Sequence, residues 1–202
     1  MTIKRLMDIV LASTVLLLTA PIQVVTLVLV AIDLGRPAMF YQQRMGRNGV
    51  PFKVYKFRSM RHQPSEGSLL SDEERVTSLG RVIRRFRLDE LPQAVLILKG
   101  TMSLVGPRPL YPCGHAPEND HLFRRRHAVR PGLTGWAQVN GNTLLAEREK
   151  LALDVHYASR ASVAFDVKIL WLTVLTVIRG ERRNELEIER ALIHADHLDR
   201  SS

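Results

Sequence analysis

Two adjacent carboxylates, Asp89 and Glu90, sit among cations: Arg84, Arg85 and Arg87 precede them and Arg108 follows. Acid beside concentrated positive charge is what phosphate chemistry needs. The cations hold an anionic substrate, and a carboxylate attacks phosphorus or binds a metal. Asp89 has the character of a helix N-cap. Pro92 then falls in the first turn, where no intrahelical N–H is required, and Gly100 can close the helix. This spacing predicts a helix over 90–99 with Asp89 in the positive field of its dipole, which favours the ionised form and draws phosphate to the same place. Alternatively, Asp89 is a cap alone and Glu90 a solvated first-turn acid.

The flanking segments decide whether the acids have partners. Residues 39–45 and 50–60 are runs of strand formers around Gly46-Arg47-Asn48-Gly49, which predicts a β-hairpin. Lys56 and Arg58 fall on one face of its second strand and Tyr55 and Phe57 on the other. That face either delivers two cations to the acids or simply meets solvent. A polar loop with Pro64 and Gly67 covers 61–71, and Ser71-Asp72-Glu73-Glu74 forms a capping box. The helix over 90–99 is apolar on nearly all sides, so it belongs in a core or against lipid. Pro107 and Pro109 flank Arg108 and pre-set its backbone, so its guanidinium is held in a manner suited to bidentate phosphate binding. An ordinary proline-rich turn with an exposed arginine is the other possibility. Arg124, Arg125 and Arg126 read mostly as a solvated or headgroup-facing run. Gly132, Gly135 and Gly141 would let backbone approach a ligand closely.

No residue from 9 to 32 is charged. As a straight helix this run measures about 36 Å, enough to cross a hydrocarbon core of about 30 Å. It exceeds the apolar core of a signal peptide, and no small-x-small cleavage site follows. Pro21 splits it into halves of about 12 residues, a length typical of re-entrant segments. Lys4 and Arg5 lie before it and Arg36, Arg44 and Arg47 after it, so both ends carry the positive charge of a cytoplasmic face. A re-entrant helix-break-helix is therefore expected over a spanning helix, with Thr19 or Gln23 satisfying the carbonyl of Leu17 freed by the proline. Residues 169–178 are too short to span and predict an interfacial or buried helix.

A chain of 202 residues suits one domain with a sizeable core. Its formal net charge of +9 points to an anionic partner. Nucleic acid is disfavoured, since the arginines do not interleave with aromatics and no zinc-finger or RNP signature appears. A single cysteine, Cys113, excludes an intrachain disulfide and fits a reducing compartment. His194-x-x-His197 is the nearest approach to a metal pair and falls in a charged segment without a sustained apolar stripe, expected to be a mobile or partner-binding tail.

The motifs LDELPQ and KGTMSLVGPRP resemble the centre of the bacterial sugar transferases, the monotopic phosphoglycosyl transferases. The resemblance extends to Lys4-Arg5-x-x-Asp8, Gln43-Arg44-x-Gly46, KFRSM (56–60), RPGLTGWAQVNG (130–141), ALDVHY (152–157) and FDVKIL (165–170). It implies a mostly helical α+β fold with a small β-hairpin. The units would be a re-entrant anchor over 1–36, a catalytic domain over 37–180 and a polar tail over 181–202. The enzyme would sit on bacterial inner-membrane phospholipid with its catalytic domain on the cytoplasmic face. The implied reaction moves a sugar 1-phosphate from a UDP-sugar to polyprenyl (undecaprenyl) phosphate, releases UMP and starts surface glycan or exopolysaccharide assembly. Asp89 would be the nucleophile, forming an aspartyl phosphosugar, and Asp89 and Glu90 would hold Mg²⁺. Lys56, Arg58, Arg84, Arg108, Arg130 and Asp154 are the expected substrate-binding residues, and Asp166 is a further acid at the family spacing. Ala20, Leu96, Asn142, Thr143 and Glu147 depart from the family pattern. A membrane-bound phosphohydrolase using the same acid pair and a non-catalytic basic lipid-binding protein are the rival expectations.

Overall fold

A computed structural model describes residues 2–63, 68–112 and 121–200. Pro64, Gly67 and Cys113 lie outside the described residues. The fold is mostly helical, with one small β-hairpin and a short two-strand pairing. Helix α1 (Ile3–Leu34) leads into strands β1 (Met39–Met45) and β2 (Pro51–Phe57), then α2 (Asp72–Arg75) and α3 (Ser78–Arg85). A 3₁₀ helix, Leu88–Gln93, runs directly into α4 (Ala94–Lys99), followed by β3 (Ser103–Val105), α5 (His121–Arg126), β4 (Gly132–Thr134) and α6 (Trp136–Val139). Three longer helices, α7 (Glu147–Arg160), α8 (Val163–Arg179) and α9 (Glu185–Arg200), complete it.

Local chemistry explains most element ends. The hairpin pairs Met39 with Phe57 and Met45 with Pro51, and its turn uses left-handed Asn48 and Gly49. Ser71 accepts from the amide of Glu74 while the Glu74 carboxylate accepts from the amide of Ser71, the reciprocal box expected there. Gly100 closes α4 at φ 82°, its amide donating to the carbonyl of Ile97. Gly132 of the 130–141 motif has a role within the fold itself: a Cβ there would lie 2.1 Å from the amide nitrogen of Gly106, so glycine lets β3 and β4 run parallel at close quarters.

Helix α1 is fastened to the body at both ends. Near its start, Asp8 is fully buried and accepts from the hydroxyl of Ser103 and the amide of Leu104 at 2.9–3.0 Å. Lys4 pairs with Asp166 at 2.5 Å, and Arg5 donates to the carbonyls of Ile97 and Leu98. Near its end, Val30 clusters with Phe57 and Ile83, and Thr77 donates to Asp33 at 2.6 Å. Between these anchorages Leu17, Leu18, Val24 and Val25 are exposed. Of the described helices, α1 is the one long and apolar enough to cross a membrane. It continues through Pro21 as one helix, without the break expected there. The expected partner for the Leu17 carbonyl is not used: Thr19 donates to the carbonyl of Val15, and Gln23 donates to Thr19.

The main core joins Leu96, Ile97, Met102, Leu104 and Val105 to Trp136, Leu153, Tyr157 and Ile169. Residues 185–200 are a helix and not a loose tail. Ile188, Ala191 and Ala195 of α9 are buried in that core, and Leu192 packs against it. The spacing i, i+3, i+4, i+7 is a stripe after all, but alanines carry so little apolar area that it is faint in the sequence. Helix α8 buries Ile169 and leaves Val167, Trp171, Val174 and Ile178 exposed along one face, as an interfacial helix would.

Candidate active site

The acids are not presented by an α-helix N-terminus. Arg87 takes the N-cap position in the left-handed region, φ 54°, and its carbonyl accepts from the amide of Glu90. Asp89 therefore lies in the first turn of the 3₁₀ helix and caps nothing. The tighter winding sets Asp89 and Glu90 side by side at the mouth of a cavity, where β2 brings Lys56 and the loop after β3 brings Arg108. Glu90 Oε1 accepts from Lys56 Nζ at 2.5 Å and from Arg108 Nη2 at 3.0 Å, and Arg87 lies 3.9 Å from Oε2. Asp89 has one ion-pair partner among the described residues, Lys56 at 3.9 Å.

This asymmetry splits the pair electrostatically. Burial pushes Glu90 up, but Arg108, Lys56 and Arg87 together outweigh it and hold it at about 2. Burial and the neighbouring Glu90 charge raise Asp89 above the ordinary carboxylate range, against smaller pulls from Lys56 and Arg84. Two carboxylates driven apart by their surroundings are suited to two roles. Glu90 is the fixed anion that arranges the cations, and Asp89 keeps the more basic oxygens unencumbered.

The cavity measures about 800 Å³, and of the expected residues Lys56, Arg84, Asp89, Glu90, Arg108 and Asp154 line it. Arg84 is steadied by a bond from Nε to the hydroxyl of Ser59. Arg58 is elsewhere: it is buried and donates to the carbonyls of Leu34 and Pro37 at 2.8 Å each, tying down the end of α1. Arg130 is half-buried and does not line the cavity. Asp154 is buried against Arg126, which also donates to the carbonyl of Arg108 at 2.5 Å. Burial raises Asp154, and the Arg126 guanidinium opposes that rise. Asp154 thus steadies the Arg108 loop through Arg126. Asp166 serves the anchor end, accepting from Lys4 and from the Tyr157 hydroxyl.

Several cavity residues had no individual signal in the sequence. Arg126 matches its exposed neighbour Arg124 in type, and only burial distinguishes it. Gln138 lines the cavity at 7% exposure with neither amide atom hydrogen-bonded to protein. Its membership of the 130–141 motif was the available clue. Glu181 accepts from Asn142 at 2.5 Å, from Thr143 and from Arg87, so the left-handed Arg87 is braced from across the cavity.

Among the described residues no group of three or more His, Cys, Asp or Glu gathers as a metal cage. The acid pair nonetheless fits Mg²⁺, which takes one or two carboxylates and fills its shell with water and substrate phosphate. Asp89 and Glu90 Oε2 are the oxygens not hydrogen-bonded by Lys56 or Arg108.

The model of the family described as "Bacterial sugar transferase" matches residues 1–180. The chain belongs to the bacterial sugar transferase family. It is 44% identical over 194 residues to the uncharacterized sugar transferase EpsL of Bacillus subtilis, covering 94% of this chain and 96% of that one. It is 40% identical over 187 residues to the UDP-glucose:undecaprenyl-phosphate glucose-1-phosphate transferase of Escherichia coli, covering 85% of this chain but 39% of that larger sugar transferase. The exopolysaccharide production protein PSS of Rhizobium leguminosarum is 35% identical over 201 residues, with 90% of this chain and 98% of that one aligned.

Proposed function

We propose that this sugar transferase moves a sugar 1-phosphate from a UDP-sugar to undecaprenyl or a similar polyprenyl phosphate, through a covalent intermediate on Asp89, in surface-polysaccharide assembly. The observation that carries this reading is the split acid pair, with Glu90 saturated by cations and Asp89 left basic and free. The names of two relatives supply the donor and acceptor classes, and that of a third the exopolysaccharide context. In the first step an Asp89 oxygen attacks the β-phosphorus. The bond from that phosphorus to the bridging oxygen breaks, and UMP leaves with the electron pair. In the second, an oxygen of the lipid phosphate attacks the same phosphorus and Asp89 departs as carboxylate, giving polyprenyl diphosphate sugar. Both nucleophiles and the donor are anionic, so most of the rate must come from positioning and charge neutralisation. Lys56, Arg84 and Arg108 supply fixed positive charge, and Asp154 through Arg126 keeps Arg108 in place. Mg²⁺ held by Asp89 and Glu90 Oε2 would neutralise diphosphate charge.

A lipid acceptor requires the cavity to lie at the membrane surface; the anchorage of α1 supports a re-entrant placement, and the basic residues at both of its ends support the cytoplasmic face. A straight α1 would separate Arg5 from Val30 by about 38 Å. Yet Arg5 bonds the carbonyl of Ile97, while Leu88 packs against the cluster containing Val30. Those two partners are separated by at most about 16 Å of helical rise. A helix bent at Pro21 but helical throughout is the form of α1 that we infer meets both anchorages from one side of the membrane.

The test is a single-turnover reaction without lipid. Protein plus UDP-sugar should release UMP once and retain the phosphosugar on Asp89 as a hydroxylamine-sensitive acyl phosphate. Asp89→Asn should abolish both adduct and turnover. Near-native turnover of Asp89→Asn, or an adduct on another residue, would refute covalent catalysis at Asp89. Continuous release of free sugar phosphate without lipid would indicate a phosphohydrolase.

A further inference from the structure

Three non-glycine residues take left-handed backbone among the described residues, and two of them, Arg87 at φ 54° and Asn142 at φ 47°, meet at one carboxylate. Glu181 Oε1 accepts from Arg87 Nη2 at 3.2 Å and from Asn142 Nδ2 at 2.5 Å. Its Oε2 accepts from the amide of Thr143 at 3.2 Å and from the Thr143 hydroxyl at 2.5 Å. Backbone in the left-handed region persists only where its surroundings over-determine it, and such positions gather at functional sites. Here both border the catalytic cavity, which Glu181 itself lines.

Glu181 is held firmly. It lies between α8 and α9, and its neighbours fasten the same turn: Arg183 donates to the carbonyl of Leu144 at 2.8 Å, and the amide of Asn184 donates to the carbonyl of Asn140 at 3.1 Å. Burial pushes Glu181 up, but the bonds from Thr143 and Asn142 and the Arg87 charge outweigh it, so the side chain is an anion at neutral pH.

The Arg87 guanidinium therefore stands between two carboxylates and is bonded to one. Nη2 reaches Glu181, whereas Nη1 stops 3.9 Å from Glu90 Oε2. Arg87 and Glu90 are three residues apart, and an approach closer by about 1 Å would make a charge-assisted hydrogen bond. Glu90 Oε1 is already taken by Lys56 and Arg108. Oε2 is the oxygen left to a divalent cation, and an Arg87 closed upon it would cover it.

We propose that Glu181 is a positioning residue that draws Arg87 away from Glu90 and so keeps Oε2 open to Mg²⁺. The inference rests on the metal role given above to Asp89 and Glu90 and names the residue that protects it. Glu181 acts through Arg87 and touches no reacting atom.

The experiment is a Mn²⁺ titration of the full chain in maltoside micelles, with free Mn²⁺ counted by electron paramagnetic resonance and no sugar nucleotide present. Native protein should bind Mn²⁺ at a site that Glu90→Gln removes. Glu181→Gln should weaken that site about tenfold or more, the size of one charge-assisted bond that the metal must then displace. Glu147 lines the same cavity and pairs with Lys150, so Glu147→Gln removes an equal charge without disturbing Arg87. It should change the affinity less than about twofold, as an exposed charge does. Glu181→Gln/Arg87→Gln should regain the native affinity, because no guanidinium is left to cover Oε2. Arg87→Gln alone, which keeps Glu181 in its turn, should bind Mn²⁺ at least as tightly as native protein. Equal weakening in Glu181→Gln and Glu147→Gln, a double variant no tighter than Glu181→Gln, or weaker binding in Arg87→Gln would each overturn the inference. Native protein without a Glu90-dependent Mn²⁺ site would overturn it too, while leaving covalent transfer, which UMP release reads, untouched.

Discussion

Replacing Glu90 by Gln removes one negative charge and leaves Lys56, Arg87 and Arg108 facing one another. In the native protein those cations hold Glu90 at about 2 against an ordinary 4.5. At about 1.4 kcal/mol per pH unit, the gap corresponds to about 3 kcal/mol of stabilisation for this nearly buried side chain. Its sign follows from linkage. The unfolded chain protonates Glu90 first as pH falls, so the contribution is complete above 4.5 and disappears as pH drops through about 2. Thermal unfolding of native protein and Glu90→Gln in micelles should show a gap of about 6–12 °C near neutral pH, at 2–4 °C per kcal/mol for a domain of this size. The same gap should close on acidification toward about pH 2 even though both proteins weaken. Turnover should fall about 100-fold or more, because Arg108 and Lys56 lose the anion that orients them. Equal melting near neutrality, or a gap that persists undiminished at the acid end, would refute the claim that this charge organises the cluster.

Three further outcomes can be checked. Arg58→Met should lower stability by about 3 kcal/mol or more through two lost charge-assisted bonds, yet leave KM for the UDP-sugar unchanged, whereas Arg84→Met should raise KM. A chelator should abolish turnover and added Mg²⁺ restore it; full activity in metal-free buffer would remove the metal role of Asp89 and Glu90. Single cysteines at Thr2 and Arg36, in a Cys113-free background, should both resist an impermeant reagent in intact cells and react after lysis. Labelling of one end alone from outside would mean a spanning α1.

Features set by neighbouring residues were legible in the sequence. The hairpin turn at 46–49, the Ser71 box and the Gly100 closure each depend on a few adjacent side chains, and each forms as expected. The cation cage was legible as composition, since Lys56, Arg84 and Arg108 accompany an acid pair. Its inner arrangement was not. Whether Asp89 caps a helix turned on the left-handed geometry of Arg87, a residue type with no preference for it. Arg58 and Lys56 are two residues apart with similar charge, and their fates diverge because the strand ends at Phe57 and the Arg58 guanidinium turns to the end of α1. Long-range burial left no local signature at Arg126 and only a faint one at Ala191.

The Lys4-Arg5-x-x-Asp8 motif shows how the anchor and the chemistry share one scaffold. Asp8 accepts from Ser103 and Leu104 within β3, and three residues after that strand comes Arg108. Lys4 reaches the carbonyl of Val105 at the end of the same strand and joins it to Asp166 and Tyr157. Arg5 holds α4, which continues from the 3₁₀ turn bearing Asp89 and Glu90. The start of the apolar helix therefore fixes both segments that meet in the Glu90–Arg108 contact. In the proposed reaction the acceptor is embedded in lipid, so the phosphate site needs a constant height above the membrane, and the bonds between α1 and β3 would fix that height. Breaking them with Asp8→Asn should impair transfer to the lipid acceptor more than UMP release in the single-turnover reaction.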